Sequence, residues 1–217
     1  MTSRALILSG SGRYADPWHP FPATTARIRD ILAAAGHDVD VTEDVDAGMA
    51  ALEGVDLLVV NAGDPWREGP RAAPAASIAS FAAALDRGIG VLAHHCATAS
   101  LRDYPQWAGA IGAVWVPESS FHPPFGRMRV DVDAGLGETF EVDDERYCAL
   151  QATGAREVVA WHAGDDAGSG REPAAWRRTV GRSRIAVDVL GHDARSYDAA
   201  GHAALVTALA EWAAARG

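Results

Sequence analysis

Short apolar runs alternate with helical periodicity along the first half of the chain. The runs at residues 5–9, 39–41, 55–61 and 88–96 predict strands, because they are short, rich in β-branched residues and bounded by turn residues. The segments between them, at 24–36, 46–52 and 74–87, carry apolar residues at helical spacing, and Thr24 or Thr25 is a candidate cap for the first. This alternation predicts a doubly wound, mostly parallel α/β sheet.

The second half is less regular. A helix is expected over residues 104–112, a rigid loop over 121–125, and strands over 128–132, 157–161, 174–180 and 184–190. The Gly- and Asp-rich segment 164–170 is typical of a hairpin connection. An amphipathic helix over 198–214 ends the pattern, with Leu205, Leu209 and Trp212 on its inner face. We expect one domain over residues 1–217.

Composition narrows the range of partners. The formal net charge is −10, and no run of Lys and Arg is present, which argues against nucleic acid and against anionic membrane surfaces. No stretch approaches the roughly 20 apolar residues of a membrane span, and the apolar run near the N-terminus is too short for a signal peptide. Two cysteines in a chain of 217 residues make no disulfide framework. We therefore expect a cytoplasmic protein with a small-molecule partner, while homo-oligomerisation stays open.

Polar side chains follow four of the predicted strands at the point where each strand ends. If these strands are parallel, their carboxyl ends meet at one edge of the sheet, where ligands of α/β proteins bind. The segment 88–96 is the most informative, because a buried run stops abruptly at two imidazoles and a thiol. The candidates at the four ends are Gly10 with His19 in the following loop; Asn61, Asp64 and Trp66; His94, His95 and Cys96; and His192 with Asp193.

Several motifs, in order and spacing, resemble the ThuA (trehalose utilisation) family over nearly the whole chain. They are Leu6-Ile7-Leu8-Ser9-Gly10, His19-Pro20, Gly88-x-Gly90-Val91-Leu92-Ala93-x-His95, Asp144-Glu145-x-Tyr147, Pro173-x-x-Trp176, Gly181-x-x-Arg184-Ile185 and Leu190-Gly191-His192-Asp193. The resemblance implies a flavodoxin-like fold similar to class I glutamine amidotransferases, and a link to sugar metabolism. It places His95 at the turn that presents the nucleophilic cysteine in those enzymes. Cys96 follows it where the family often has Ser, and Asp193 follows His192 where amidotransferases have Pro-Glu, so the glutaminase triad is absent.

The favoured function is binding and transformation of a sugar or keto-sugar. Neutral imidazoles at His95 and His192 can act as base and acid, with Asp193 or Glu145 orienting one of them. Further pocket candidates are Asn61, Asp64 and Trp66 for sugar hydroxyls, Gly10, His19, Cys96 and Tyr147 for other ligand contacts, and His122 as a cover over the site.

Three alternatives remain open. Acid–base chemistry of this kind requires no cofactor. The first alternative is that a divalent metal such as zinc is bound by His19, His95 and His192 together with Glu145. Cys96 could instead be the nucleophile of an amidotransferase-like hydrolase. Against this, adjacent residues of an extended backbone point to opposite sides, so Cys96 would point away from the side that His95 faces. The third alternative is a sugar-binding protein without catalysis.

The residues from Gly10 to Ala15 match the G-x-G-x-x-A pattern of dinucleotide-binding loops. The match is weak, because no helix is expected to begin there.

Overall fold

The computed structural model describes residues 3–163 and 170–215. Its strands are β1 Arg4–Ser9, β2 Asp38–Thr42, β3 Leu57–Asn61, β4 Gly90–His94, β5 Ala113–Val114, β6 Gly126–Val132, β7 Phe140–Asp144, β8 Gln151–Ala152, β9 Glu157–His162, β10 Glu172–Val180 and β11 Ser183–Asp188. Its α-helices are α1 Phe21–Ala34, α2 Val45–Ala50, α3 Ala75–Arg87, α4 Trp107–Ile111 and α5 Ala200–Ala214, with short 3-10 turns at Gly12–Tyr14, His95–Thr98 and Ala194–Asp198.

Nine of the described strands form one mixed sheet in the order β2-β1-β3-β4-β11-β10-β9-β6-β7. Strands β2, β1, β3, β4 and β11 pair in parallel, and this part has the flavodoxin-like order. The remaining pairs, from β11 to β7, are antiparallel. The predicted α/β class with a parallel core flanked by helices is confirmed, and the sheet continues into an antiparallel half.

The parallel strands are buried on both faces, so successive side chains enter different cores. Leu6 and Leu8 pack with Met49 of α2 and Phe81 of α3. On the other face Ile7 packs with Ile28 of α1 and with residues of α5 such as Leu205. The continuous apolar runs of the sequence are therefore explained by a sheet covered on both sides.

Several element boundaries differ from the prediction. Helix α1 begins at Phe21, and Thr24 and Thr25 lie buried inside it rather than capping it. Their hydroxyls accept hydrogen bonds from Asn61 Nδ2, at 2.9 Å each, so they hold the helix against β3. The predicted helix at 104–112 is shorter, covering Trp107–Ile111. The predicted connection at 164–170 falls outside the described residues except for its last position.

Strand β7 was not predicted. Only Val142 and Asp144 of this strand are buried, so a charged, half-exposed edge strand carries little apolar signal. The two short strands β5 and β8 pair only with each other and were also missed.

Within the described ranges, none of the helices has the length and apolar character that crossing a bilayer requires.

Candidate functional site

The candidate site lies at the carboxyl edge of the sheet. Strands β1, β3, β4 and β11 are mutually parallel, so their last residues meet at this edge. Four successive antiparallel pairings carry the sheet from β11 to β7, and β7 therefore runs in the same direction as β11. Glu145, the residue after β7, therefore lies at the same edge. The pairing thus brings together side chains that are far apart in the sequence.

His95 occupies the turn directly after β4. Its φ of +44° is in the left-handed region, which residues with a Cβ adopt rarely and at a cost of about 1–3 kcal/mol. The buried ring is fixed by a hydrogen bond of 2.7 Å from Nδ1–H to the carbonyl of Val189, which follows β11. The other ring nitrogen, Nε2, faces the site, and the Tyr147 hydroxyl lies 3.1 Å from it. The predicted turn position of His95 is what the backbone shows.

His19 comes from the loop between β1 and α1. Its Nδ1 donates to the carboxylate of Asp16, at 2.8 Å from each oxygen, and its backbone N–H donates to the same group. Burial alone would lower the pKa of the His19 imidazole, but the Asp16 carboxylate, followed by Cys96 and Glu145, raises it to about 12. The other nitrogen of the ring, Nε2, faces the site.

Asp144, the last residue of β7, holds two of the site residues in place. This fully buried carboxylate accepts backbone hydrogen bonds from Glu145 (2.8 Å), Gly191 (2.7 Å) and His192 (3.1 Å), and a further one from the Ser196 hydroxyl. Gly191 has a φ of +115°, and a Cβ there would lie 2.7 Å from the Tyr197 hydroxyl oxygen, so the turn needs glycine. Asp144 therefore ties the end of β7 to the end of β11.

His19, His95, Glu145 and His192 together form a compact group, called the His–Glu cluster below. Glu145 is at its centre. Its Oε2 lies 3.2 Å from His192 Nδ1, 3.6 Å from His95 Nε2 and 3.9 Å from His19 Nε2. Burial alone would raise the pKa of Glu145, but the imidazoles of His19, His192 and His95 outweigh burial and hold it far below its usual range. Glu145 is thus an ionised carboxylate surrounded by three imidazoles.

The cluster lies in a pocket of about 610 Å³, a volume within the usual range for small-molecule sites. Aromatic rings form much of the wall, and charged groups from the β3 loop complete it. The His122 ring extends over the pocket, with Nδ1 3.5 Å from Glu145 Oε1. The lining residues are Asp16, Trp18, His19, Asp64, Arg67, Cys96, Ala99, Trp115, Pro117, His122, Glu145, Tyr147 and His192.

A second cavity, of about 680 Å³, lies at the opposite edge of the sheet. It is lined by residues before β3, β4 and β11, such as Asp56, Gly88 and Arg182. It is remote from the His–Glu cluster, and the functional site is therefore assigned to the carboxyl edge.

Cys96 lines the pocket but is poorly suited to be a nucleophile. The side chain is buried, and burial raises the pKa of its thiol even though His19 acts in the opposite direction. A raised pKa disfavours the thiolate, which is the reactive form. The Sγ atom is 3.8 Å from the Tyr147 hydroxyl. Cys96 and Cys148 do not form a disulfide.

Four predicted site residues have structural roles instead. The side chain of Asn61 is buried against α1, and Gly10 is glycine because a Cβ would lie 2.6 Å from the Tyr14 carbonyl oxygen. Trp66 donates from Nε1 to the Arg71 carbonyl and is not part of the pocket wall. Asp193 caps the following 3-10 turn by accepting from the backbone and side chain of Arg195, so Glu145 is the carboxylate that faces His192.

Other residues at the site carry functions that the sequence interpretation did not assign. Asp16 orients His19, and Asp144 positions Glu145 and His192. Trp115 and Arg67 line the pocket. The Asp16-x-x-His19 spacing is a usable signal for the first of these, whereas Trp115 and Arg67 are brought in by loops whose course the sequence does not define.

A second buried group, His94, Asp188 and His202, lies behind the pocket. Asp188 Oδ2 accepts from His202 Nε2 at 2.9 Å, and the Tyr197 hydroxyl lies 2.9 Å from His94 Nε2. His202 Nδ1 contacts Ser196. Because these rings already have hydrogen-bonding partners, this group is a structural network that supports the turn at His95.

The fold and the turn at His95 define the class of protein. The chain has an α/β domain with a flavodoxin-like parallel core, in which a histidine takes the turn after β4. The family model described as ThuA, trehalose utilisation, matches residues 4–213. The chain belongs to the ThuA family.

Solved structures agree with this fold. A ThuA-like protein from Parabacteroides merdae is similar with a TM-score of 0.79 and 19% identity over 99% of this chain and 90% of that one. A ThuA-like protein from Bacteroides uniformis gives 0.71 and 16% over 97% and 91%. The β-galactosidase of Rahnella sp. R3 gives 0.62 and 20% over 97% of this chain but 31% of the enzyme. No curated protein shows significant sequence similarity to the chain.

Proposed function

We propose that the protein binds a small carbohydrate, a sugar or a keto-sugar, in this pocket and transforms it by acid–base chemistry at the His–Glu cluster. The observation that carries the proposal is the convergence of three imidazoles and an ionised carboxylate from four separate parts of the chain. His19, Glu145 and His192 line one pocket, and His95 lies directly behind Glu145. Membership of a family described by trehalose utilisation supports the carbohydrate class. Similarity to a part of a β-galactosidase points the same way.

The pocket wall suits a sugar ring. Trp18, Trp115 and Tyr147 offer apolar aromatic faces, against which the C–H faces of a pyranose can pack. Asp64 and Arg67 offer charged hydrogen-bonding groups for hydroxyls on the ring edge. This mixture of aromatic surface and a few polar groups is usual for sites that orient a small polar ligand.

The acid–base roles follow from the contacts of each group in the metal-free protein. Glu145 is ionised, and its lowered pKa makes it a weak base, so its role is to orient the imidazoles and to offset positive charge on them. His192 Nδ1 and His95 Nε2 lie beside its carboxylate and can take a proton from, or return one to, a sugar hydroxyl or a carbon next to a carbonyl. His122 contacts the other carboxylate oxygen. The role of Asp16 is to hold the His19 ring in place.

A thermal-shift screen across sugars and keto-sugars, followed by calorimetric titration of the best compound, tests the binding step. Two exposed tryptophans give a matched pair of variants. Trp18 lines the pocket and is 64% exposed, whereas Trp66 is 36% exposed and lies outside it. Trp18→Ala should lower the affinity for the sugar by roughly 2- to 10-fold, which corresponds to about 0.5–1.5 kcal/mol from packing of the aromatic ring. Trp66→Ala should leave affinity unchanged, and equal losses in both variants would contradict the assigned pocket.

Turnover is tested by following the stabilising sugar by NMR with wild type, Glu145→Gln and His192→Asn. Removing a proton-transfer imidazole, or the carboxylate that orients it, should slow conversion by about 100-fold or more. Each variant should keep its melting temperature within a few degrees, because both side chains lie in the pocket wall. Stabilisation by a sugar with no conversion by wild type would contradict the catalytic part and favour a binding protein.

A further inference from the structure

The geometry points to a metal site: we propose that the His–Glu cluster binds one divalent first-row transition-metal ion. This goes beyond the acid–base roles above, which describe the metal-free protein. The ligand atoms are Nε2 of His19, Nε2 of His95, Nδ1 of His192 and a carboxylate oxygen of Glu145.

The spacing of the ligand atoms suits a single ion. All four lie within 4.8 Å of one another. Ligands at about 2.0–2.1 Å from a tetrahedral zinc ion are separated from each other by about 3.3 Å. The carboxylate oxygen of Glu145 is 3.2, 3.6 and 3.9 Å from the three nitrogens. A contraction of about half an ångström brings the carboxylate oxygen to this spacing from each nitrogen. The separations of up to 4.8 Å within the set close by up to about 1.5 Å when an ion binds.

Two of the imidazoles are oriented as metal ligands usually are, with the far nitrogen fixed by a hydrogen bond. His19 Nδ1 donates to Asp16, and His95 Nδ1 donates to the Val189 carbonyl. Each ring therefore turns Nε2 toward the cluster. An ion would replace the proton on His19 Nε2 and the Tyr147 hydroxyl near His95 Nε2.

The site also contains buried nitrogens without hydrogen bonds. Over the described ranges, His19 Nε2 and His192 Nδ1 have no hydrogen-bond partner, although both atoms are inaccessible to solvent. A buried polar atom without a partner is destabilising, so such atoms need an explanation. The group of His94, Asp188 and His202 is a useful contrast, because the contacts of its rings are supplied by the protein itself. A bound ion supplies what the His–Glu cluster lacks.

The donor set indicates the kind of ion. Three imidazoles and one carboxylate suit Zn²⁺ and neighbouring first-row ions better than Mg²⁺ or Ca²⁺, which prefer oxygen. The site opens to the pocket, so a sugar oxygen can approach the ion, which would polarise a carbonyl or hydroxyl there. His122 is outside the ligand set and contacts Glu145 Oε1, so it remains free to handle a proton.

The test is titration of chelator-treated protein with Zn²⁺ by calorimetry and with Co²⁺ by visible absorption. Wild type should bind one equivalent and give a four- or five-coordinate cobalt spectrum. His192→Ala should weaken binding by at least 10-fold, and Asp16→Asn by 10- to 100-fold through loss of ring orientation. His37→Asn, which alters a histidine just beyond the C-terminal end of α1, is the matched control and should bind like wild type. Circular dichroism establishes that each variant is folded.

Absence of a stoichiometric site in wild type, or an equal loss in His37→Asn and His192→Ala, would overturn the metal assignment. These outcomes are separable from those of the sugar experiments. Sugar stabilisation of metal-free protein that binds no Zn²⁺ would refute the metal site and leave the proposed function standing. One tight equivalent of Zn²⁺ in a protein that no sugar stabilises would do the reverse.

Discussion

Asp144 offers a quantitative test of how the site is held together. Its two carboxylate oxygens accept four hydrogen bonds, two of them from the backbones of Glu145 and His192. In Asp144→Asn one oxygen becomes an NH₂ group, which donates and cannot accept. With the NH₂ group at the Oδ1 position two backbone donors lose their acceptor; at the Oδ2 position only Gly191 does, because the Ser196 hydroxyl can accept from the NH₂ group. Oδ1 serves Glu145 and His192, while Oδ2 serves Gly191 and Ser196.

The expected loss of stability follows from the number of hydrogen bonds that the substitution removes. Hydrogen bonds to charged groups contribute about 1.5–3 kcal/mol each, so losing one or two of them at this fully buried side chain lowers the free energy of unfolding by about 1.5–6 kcal/mol. Urea denaturation followed by tryptophan fluorescence and by circular dichroism measures it, with coincident transitions required for a two-state treatment. Asp144→Asn should also lower the affinities for metal and for sugar, because Glu145 and His192 lose the side chain that holds both in place.

Asp143→Asn is the matched control. Asp143 is the adjacent residue of β7, with an exposed side chain that pairs with Arg127, and an exposed pair of this kind contributes about 0–1 kcal/mol. If Asp144→Asn changed stability no more than Asp143→Asn, the reasoning about the buried anchor would be refuted.

Three further predictions concern individual side chains. Cys96 in the folded protein should react with iodoacetamide at least 10-fold more slowly than a free thiol, because burial raises its pKa; fast labelling of Cys96 in a peptide map would revive the nucleophile alternative. Asn61→Ala should cost about 1–3 kcal/mol in urea unfolding without changing sugar affinity, and the opposite pattern would return Asn61 to the binding site. Burial alone would raise the pKa of Asp46, but hydrogen bonds from Arg13 and two tyrosines hold it below the ordinary 3.8. Its stabilisation is therefore present above that value and is lost as pH falls through the lower folded-state pKa. The stability gap between wild type and Asp46→Asn should shrink below about pH 4, and a gap independent of pH would contradict this.

The parallel half of the fold could be predicted because its strands are buried on both faces. Continuous apolar runs such as 57–61 and 90–94 leave a strong signal, and their order then places the polar residues after them at one edge. The antiparallel half left a weaker signal. β7 alternates charged and apolar residues at the sheet's edge, and its direction depends on four pairings that the sequence does not specify.

The same difference between the two halves explains which site residues could be predicted from the sequence. His95 and His192 follow strongly predicted strands, and their common location follows from strand order. Asp144 ends β7 and Glu145 follows it, so only the family resemblance drew attention to them. Asn61 also ends a predicted strand, yet its side chain turns back to α1. The direction in which a polar side chain leaves a strand end depends on packing by the neighbouring helix, and that is visible only in three dimensions.

Anomalous diffraction from crystals of the protein grown with Zn²⁺ tests the central claim most directly, since it locates the ion. The account predicts one strong peak at the zinc edge, about 2.0–2.2 Å from the ligand atoms of His19, His95, Glu145 and His192. A structure with no peak there, or with these four side chains pointing away from one another, would contradict the assignment of a single site at this edge of the sheet.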